Sequence, residues 1–206
     1  MKRYLLLLWT FMSIVSISAQ TLNDAQIRQR VNQAAAAMKT MQCDFVQTKH
    51  LKMLNDDIVA HGKMYYQQSS KLRWEYTIPY AYVFVLNGDK VLLKNKQRND
   101  VIDVNQNKMF REIARVMMSS VVGNCLLDDK TFKTTIATTN GEWIATLVPQ
   151  RKDMRQMFQK IVLHFNQQRA VVNCVEMVEK SGDKTVINLK NIRTNETINA
   201  AIFSVH

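Results

Sequence analysis

GKMYYQQSSKLRWEYTIPYAYVFVLNG, residues 62–88, reads as three short aromatic-rich strands joined by tight turns. Side chains alternate across a strand, so Leu72, Trp74 and Tyr76 share one face while Arg73, Glu75 and Thr77 share the other. A face of this kind suits an enclosed apolar space, and the stretch holds no cluster of catalytic residue types. The next strand, Tyr80 to Leu86, carries Phe84 and Leu86, but Val83 and Val85 make it apolar on both sides. Asn87-Gly88 is a hairpin signal, because a type I′ turn needs positive φ at both central residues.

Outward from this stretch the same alternation recurs. Cys43 to Thr48, Ile58 to Gln67, Lys71 to Ile78, Lys90 to Lys94 and Val101 to Val104 read as strands, with Gly62 a bulge. Further strands are expected over Phe132–Thr138, Glu142–Pro149, Gln159–Phe165, Ala170–Glu179 and Lys184–Ile192, with an Asn140-Gly141 hairpin. Two segments have helical spacing instead. The first is Thr21 to Met41, with Leu22, Ala25, Val31, Ala34, Ala35, Met38 and Met41 on its apolar side and Thr21 and Asp24 as its cap. The second is Asn107 to Val122, where Phe110, Ile113, Ala114, Met117, Met118 and Val121 form a stripe that ends at Gly123-Asn124. The fold class is therefore α+β and mostly antiparallel: an unclosed, strongly curved β-barrel of about ten strands with helices covering the concave face.

Residues 1–19 have the form of a cleavable signal peptide: basic Lys2 and Arg3, an apolar run from Leu5 to Ile17, then small residues up to Ala19. The apolar run is too short to span a bilayer, which takes about 20 residues. Residues 20–206 are then expected to form a single exported domain. The chain carries a formal charge of +11, and +9 without Lys2 and Arg3. Such a surface suits anionic headgroups or an acidic protein partner, and an exported protein is not expected to meet nucleic acid.

The residues offer little chemistry. His50, His61, His164 and His206 are scattered, with no carboxylate or cysteine at metal-ligand sequence spacing. Ser119-Ser120 lacks a nucleophile-elbow pattern, and there is no glycine-rich phosphate loop. Asp56-Asp57 and Asp128-Asp129 read as turn residues. Cys43, Cys125 and Cys174 have no metal spacing; they fit either small buried side chains or one disulfide with one free thiol. No enzyme, cofactor or metal is expected.

The pattern as a whole resembles the periplasmic outer-membrane lipoprotein carrier family of LolA type. The resemblance rests on an N-terminal helix followed by Phe45-Val46-Gln47, Gly62 twelve residues before Trp74, Pro79 five residues after it, the Asn87-Gly88 hairpin, the helix at 107–122, and closing strands to Phe203. It implies an apolar cavity for lipoprotein acyl chains, lined by Leu72, Trp74, Tyr76, Phe84 and Leu86 from the sheet and by Ile113, Met117 and Met118 from a lid helix. It also implies a monomer that receives lipoproteins from an inner-membrane ABC transporter and passes them to an outer-membrane acceptor. One departure stands out: Gln68 occupies the position where well-studied members carry an arginine. A lid contact there would be a neutral hydrogen bond rather than a charge-assisted one. The alternative is an envelope interaction module of the same fold, its interior filled by its own side chains, binding a protein or glycolipid through the basic surface.

Overall fold

The computed structural model describes residues 22–54, 56–68, 70–106, 118–119, 126 and 128–205. The expected signal peptide lies outside these residues, as does the helix expected at 107–122 apart from Met118 and Ser119, which are helical.

The described chain forms helix α1 (Asp24–Ala37), then strands β1 (Thr40–His50), β2 (Ile58–Gln67), β3 (Lys71–Ile78), β4 (Tyr82–Asn87), β5 (Lys90–Lys94) and β6 (Asn99–Asp103). After β6 come β7 (Phe132–Thr139), β8 (Glu142–Pro149), the short helix α2 (Lys152–Met157), β9 (Phe158–Asn166), β10 (Val171–Glu179) and β11 (Lys184–Thr194). A 3-10 turn, Ala200–Phe203, follows. All eleven strands belong to one antiparallel sheet in the order β6-β5-β4-β3-β2-β1-β11-β10-β9-β8-β7. Among the described residues β6 and β7 are its two free edges, so the barrel is unclosed as expected, and its eleven strands correspond to the eleven segments read from the sequence. The connection from one edge to the other is residues 104–131, the segment that carries the expected lid.

Strand bounds agree closely with the alternation, but three local readings change. Helix α1 starts at Asn23, not at Thr21, which lies outside the described residues. Asn23 accepts from the Gln26 N–H and Gln26 answers with a bond to the Asn23 N–H, a reciprocal capping box. The helix then stops at Ala37, because Met38 is already extended and Met41 belongs to the inner face of β1. Its buried stripe is Ile27, Val31 and Ala35, while Ala25 is exposed. The β4–β5 loop is Gly88-Asp89, since Asn87 pairs with Lys90. Only Gly88 has positive φ there, at the first central position, where a type II′ turn wants glycine. The Asn140-Gly141 hairpin has positive φ at both residues, at 49° and 78°, as a type I′ turn requires.

The sheet sorts its side chains into two apolar layers. The inner layer is one continuous cluster. It runs from Val91, Leu86, Trp74 and Met64 through Phe45 and Leu189 to Leu163, Trp143 and Phe132, and it includes Ile27, Val31 and Ala35 of α1. The outer layer is small: Val85, Leu92 and Phe203 are buried together, with Val83, Ile198, Ile202 and Val205 packed around them. The chain beyond β11 therefore folds back over the outside of β3 to β5. Arg73 donates to the Ile202 carbonyl at 3.1 Å and Asn87 to the Phe203 carbonyl at 3.1 Å. This explains why β4 is apolar on both faces.

Gly62 is required where it stands. A Cβ there would collide with the Glu75 carbonyl oxygen and with the Phe45 ring lying across the glycine. The β2–β3 register shifts at the same point, between His61 and Gly62, which is the expected bulge. Gly62→Ala should destabilise the fold by about 1–3 kcal/mol in urea unfolding, the usual cost of overpacking. Phe203→Ala should cost about 3–5 kcal/mol, a core-sized loss from a residue in the terminal 3-10 turn. A loss below about 1 kcal/mol would mean that the outer layer is not part of the cooperative fold.

Candidate functional site: the inner apolar face

The sheet register brings the expected lining residues together in rows. Cys43, Met64, Trp74, Phe84 and Leu93 face one another across five adjacent strands. One row along, Met41, Tyr66, Leu72, Leu86 and Val91 do the same. Tyr76 lies in the row of Phe45, Gly62 and Tyr82. Leu72, Trp74, Phe84 and Leu86 are buried and Tyr76 is half-buried, all within the inner cluster. Met118 is half-buried against the same cluster. Ile113 and Met117 lie outside the described residues.

The aromatic rings form a connected group. Phe45 lies 4.4 Å from Trp74 between centroids and 5.3 Å edge-on from Tyr76, and Tyr76 stands within about 6 Å of Tyr80 and Tyr82. Glycine at position 62 makes this possible by letting the Phe45 ring sit low over β2. Little polarity enters. The Tyr76 hydroxyl donates to Gln47 Oε1 at 2.9 Å, and the nearby Trp74 indole N–H is buried without a well-formed hydrogen bond. Burial pushes the Tyr76 phenol above its ordinary range, and the Trp74 and Gln47 contacts offset only part of that. Burial likewise raises the Tyr66 phenol. Burial, then the Asp44 charge, pushes the Cys43 thiol up to about 12. Cys43 and Cys174 are both free thiols, and Cys125 lies outside the described residues.

Helix α1 and the end of the 104–131 connection cover the β7–β10 half of this face. Arg30 stacks over the Trp143 ring at 5.6 Å. Arg28 donates to the Leu126 carbonyl at 2.5 Å and to the Thr134 carbonyl at 2.9 Å. One guanidinium thus joins α1, the far end of the edge-to-edge connection and β7. Gln68, the expected lid contact, is exposed in the β2–β3 turn, where its backbone N–H donates to the Lys39 carbonyl. The sequence reading missed Arg28. Its one available signal was its place beside Ile27 in α1, next to the stripe that docks the helix.

This arrangement can hold apolar matter away from water; among the described residues the inner face presents no acid–base pair or anion cradle, and its one thiol, Cys43, is buried. The described residues thus form an open antiparallel sheet with a helix laid against its apolar inner face. The family model for the outer membrane lipoprotein carrier protein LolA matches residues 36–206, and the chain belongs to that family. It is similar to the outer-membrane lipoprotein carrier protein of Methylococcus capsulatus, with 24% identity over 205 residues covering 98% of this chain and 91% of that one. It is also similar to the carrier protein of Nitrosospira multiformis, with 22% identity over 166 residues covering 80% and 77%. Among solved structures it is similar to the Pseudomonas aeruginosa MucA/MucB complex, with a TM-score of 0.50 and 8% identity over 86% of this chain and 60% of that chain. A LolA superfamily protein from Nitrosomonas europaea gives a TM-score of 0.45 and 10% identity over 89% and 98%. At 8% identity the MucA/MucB likeness speaks for the fold alone.

A thiol at about 12 is thiolate to only about one part in ten thousand at pH 8, and the thiolate is the reacting form. In native protein at pH 8, peptide mapping should show Cys43 resisting iodoacetamide for hours. In denaturant it should react within minutes. Equal rates would mean that the inner face is open to water.

Proposed function

We propose that this protein is a periplasmic carrier that shields the acyl chains of lipoproteins while they pass from the inner to the outer membrane. In this reading Leu72, Trp74, Tyr76, Phe84 and Leu86 contact the chains from the sheet, and Ile113, Met117 and Met118 contact them from the lid. An inner-membrane ABC transporter would supply the cargo and an outer-membrane acceptor would take it. The observation that carries the reading is the uninterrupted apolar inner layer of the sheet, against which α1, Met118 and Leu126 pack. Family membership supports it.

The energetics fit reversible transfer. Exposing an acyl chain costs about 0.8 kcal/mol per CH₂, so a carrier in water must enclose most of it. The inner face is already covered by the protein's own side chains, so a chain entering it displaces self-contacts of similar apolar character. The net affinity is then a difference between two burials, and release needs no external energy source if the acceptor offers a better apolar surface. Arg28 ties α1 and the connection's end to β7 by hydrogen bonds, and would resist that displacement from the side opposite Gln68.

Diluting detergent from a mixture of the mature protein and a triacylated lipoprotein should leave a soluble one-to-one complex. Precipitation of all the lipoprotein would remove the main support for the reading, and salt-sensitive binding of a protein partner without lipid uptake would favour the interaction-module alternative. Met118→Asp should weaken a fluorescent fatty-acid probe at least about tenfold, or ~1.4 kcal/mol, with the far-UV spectrum unchanged. Undiminished binding would take the lid out of the site.

A further inference from the structure

The outer face of β8 to β10 holds a cluster that sequence spacing did not suggest. His164 was expected to stand apart from carboxylates and cysteines, but the sheet register gives it three such neighbours. Cys174 is its direct partner on β10. Glu176 lies two residues further along that strand, and its Oε1 is 3.1 Å from His164 Nε2. Glu142, on β8, places Oε2 3.3 Å from His164 Nδ1. The ligand atoms of His164, Cys174 and Glu176 all lie within 4.8 Å of one another.

A bulge makes this geometry. The pairing shifts between Val172 and Cys174, which inserts Asn173 as an extra residue. The insertion keeps both Val172 and Val175 in the inner core and leaves Cys174 and Glu176 on the outer face beside His164. Asn173 then donates to Glu142 Oε1 at 2.7 Å, and Lys184 binds Glu176 Oε2 at 2.7 Å. Each carboxylate has one oxygen held by a neighbour and the other directed at the imidazole.

We propose that His164, Cys174 and Glu176 form a binding site for a single divalent cation of zinc type, with Glu142 orienting the imidazole and one coordination position left open. One nitrogen, one thiolate sulfur and one carboxylate oxygen suit a borderline-soft ion, and three protein ligands with an open fourth position is a familiar zinc arrangement. The 3.1 Å nitrogen–oxygen separation is close to the edge of a zinc tetrahedron, about 3.3 Å from bonds near 2.0–2.1 Å. Glu142 accepting from Nδ1–H is the carboxylate–histidine–metal arrangement, which fixes the ring so that Nε2 meets the ion. Binding exchanges one proton for the metal: the Cys174 thiol gives its proton up to solvent, and the imidazole binds as the Nδ1–H tautomer with the Nε2 lone pair on the ion. The neighbouring cation is Lys184, which engages Glu176 Oε2 and leaves Oε1 for the metal.

Titrating reduced, untagged protein with cobalt(II) should give saturation at one equivalent and a near-ultraviolet thiolate-to-cobalt charge-transfer band that zinc abolishes. Cys174→Ser should remove the band and Cys125→Ser should leave it. Glu142→Gln should weaken binding about tenfold or more. Lys184→Met should tighten it by removing a competing cation, an effect that non-specific binding would not show. Should a variant fail to fold, mass mapping of the unmodified sequence decides, since zinc must then slow alkylation of Cys174. Absence of the band, its persistence in Cys174→Ser, or unchanged alkylation of Cys174 under zinc overturns the proposal.

Discussion

The architecture depends on the packing of Phe45 against the bare backbone of Gly62. Phe45 sits on β1, the strand shared by the two halves of the sheet, where it pairs with Gly62 on one side and Leu189 on the other. Its ring can lie flat only because β2 has no side chain beneath it. Laid flat, it reaches Trp74 and Tyr76 on β3 and joins the aromatic group to the core under α1. With a side chain at position 62 the ring would have to rise into the concavity, and the rows that line the inner face would lose their common floor.

Much of this was legible in the sequence, and the reason is periodicity. Where one face of a strand is buried and the other wet, alternation marks both the strand and its orientation, and β2, β3, β5 and β8 run over the expected residues. Alternation gave no guidance at β4, because on its other face Val85 is buried too and Val83 is half-buried beside it. Their cover is the segment around Phe203, more than a hundred residues away, and no local pattern announces it. The helix start was misplaced for a related reason. Thr21 and Asn23 are both good caps, and what decides between them is the docking of Ile27, Val31 and Ala35 on the sheet. The Gly88 turn shows that the Asn-Gly signal locates a hairpin more reliably than its register.

Site residues divide along the same line. Leu72, Trp74, Tyr76, Phe84 and Leu86 belong to adjacent strands linked by short turns, so their convergence follows from local pairing. Arg28 meets Leu126 and Thr134 across about a hundred residues. His164, Cys174 and Glu176 come from a hairpin, but their convergence depends on the bulge at Asn173, which changes the parity of β10 midway. A two-residue period read straight through that strand places either the valines or the cysteine on the wrong face.

The seam between β1 and β11 has a kinetic consequence. Nearest-neighbour hairpins make the pairings from β1 to β6 as the chain lengthens, and the same holds from β7 to β11. The pairing of β1 with β11 closes a loop of well over a hundred residues and waits for residues 184–194. Until then β1 is an open edge eleven residues long, with Met41, Cys43 and Phe45 on its apolar face. The nascent protein is thus a half-sheet able to accept any suitable strand, including β11 of another copy. Strand exchange at this seam is the assembly error to which the topology is most open.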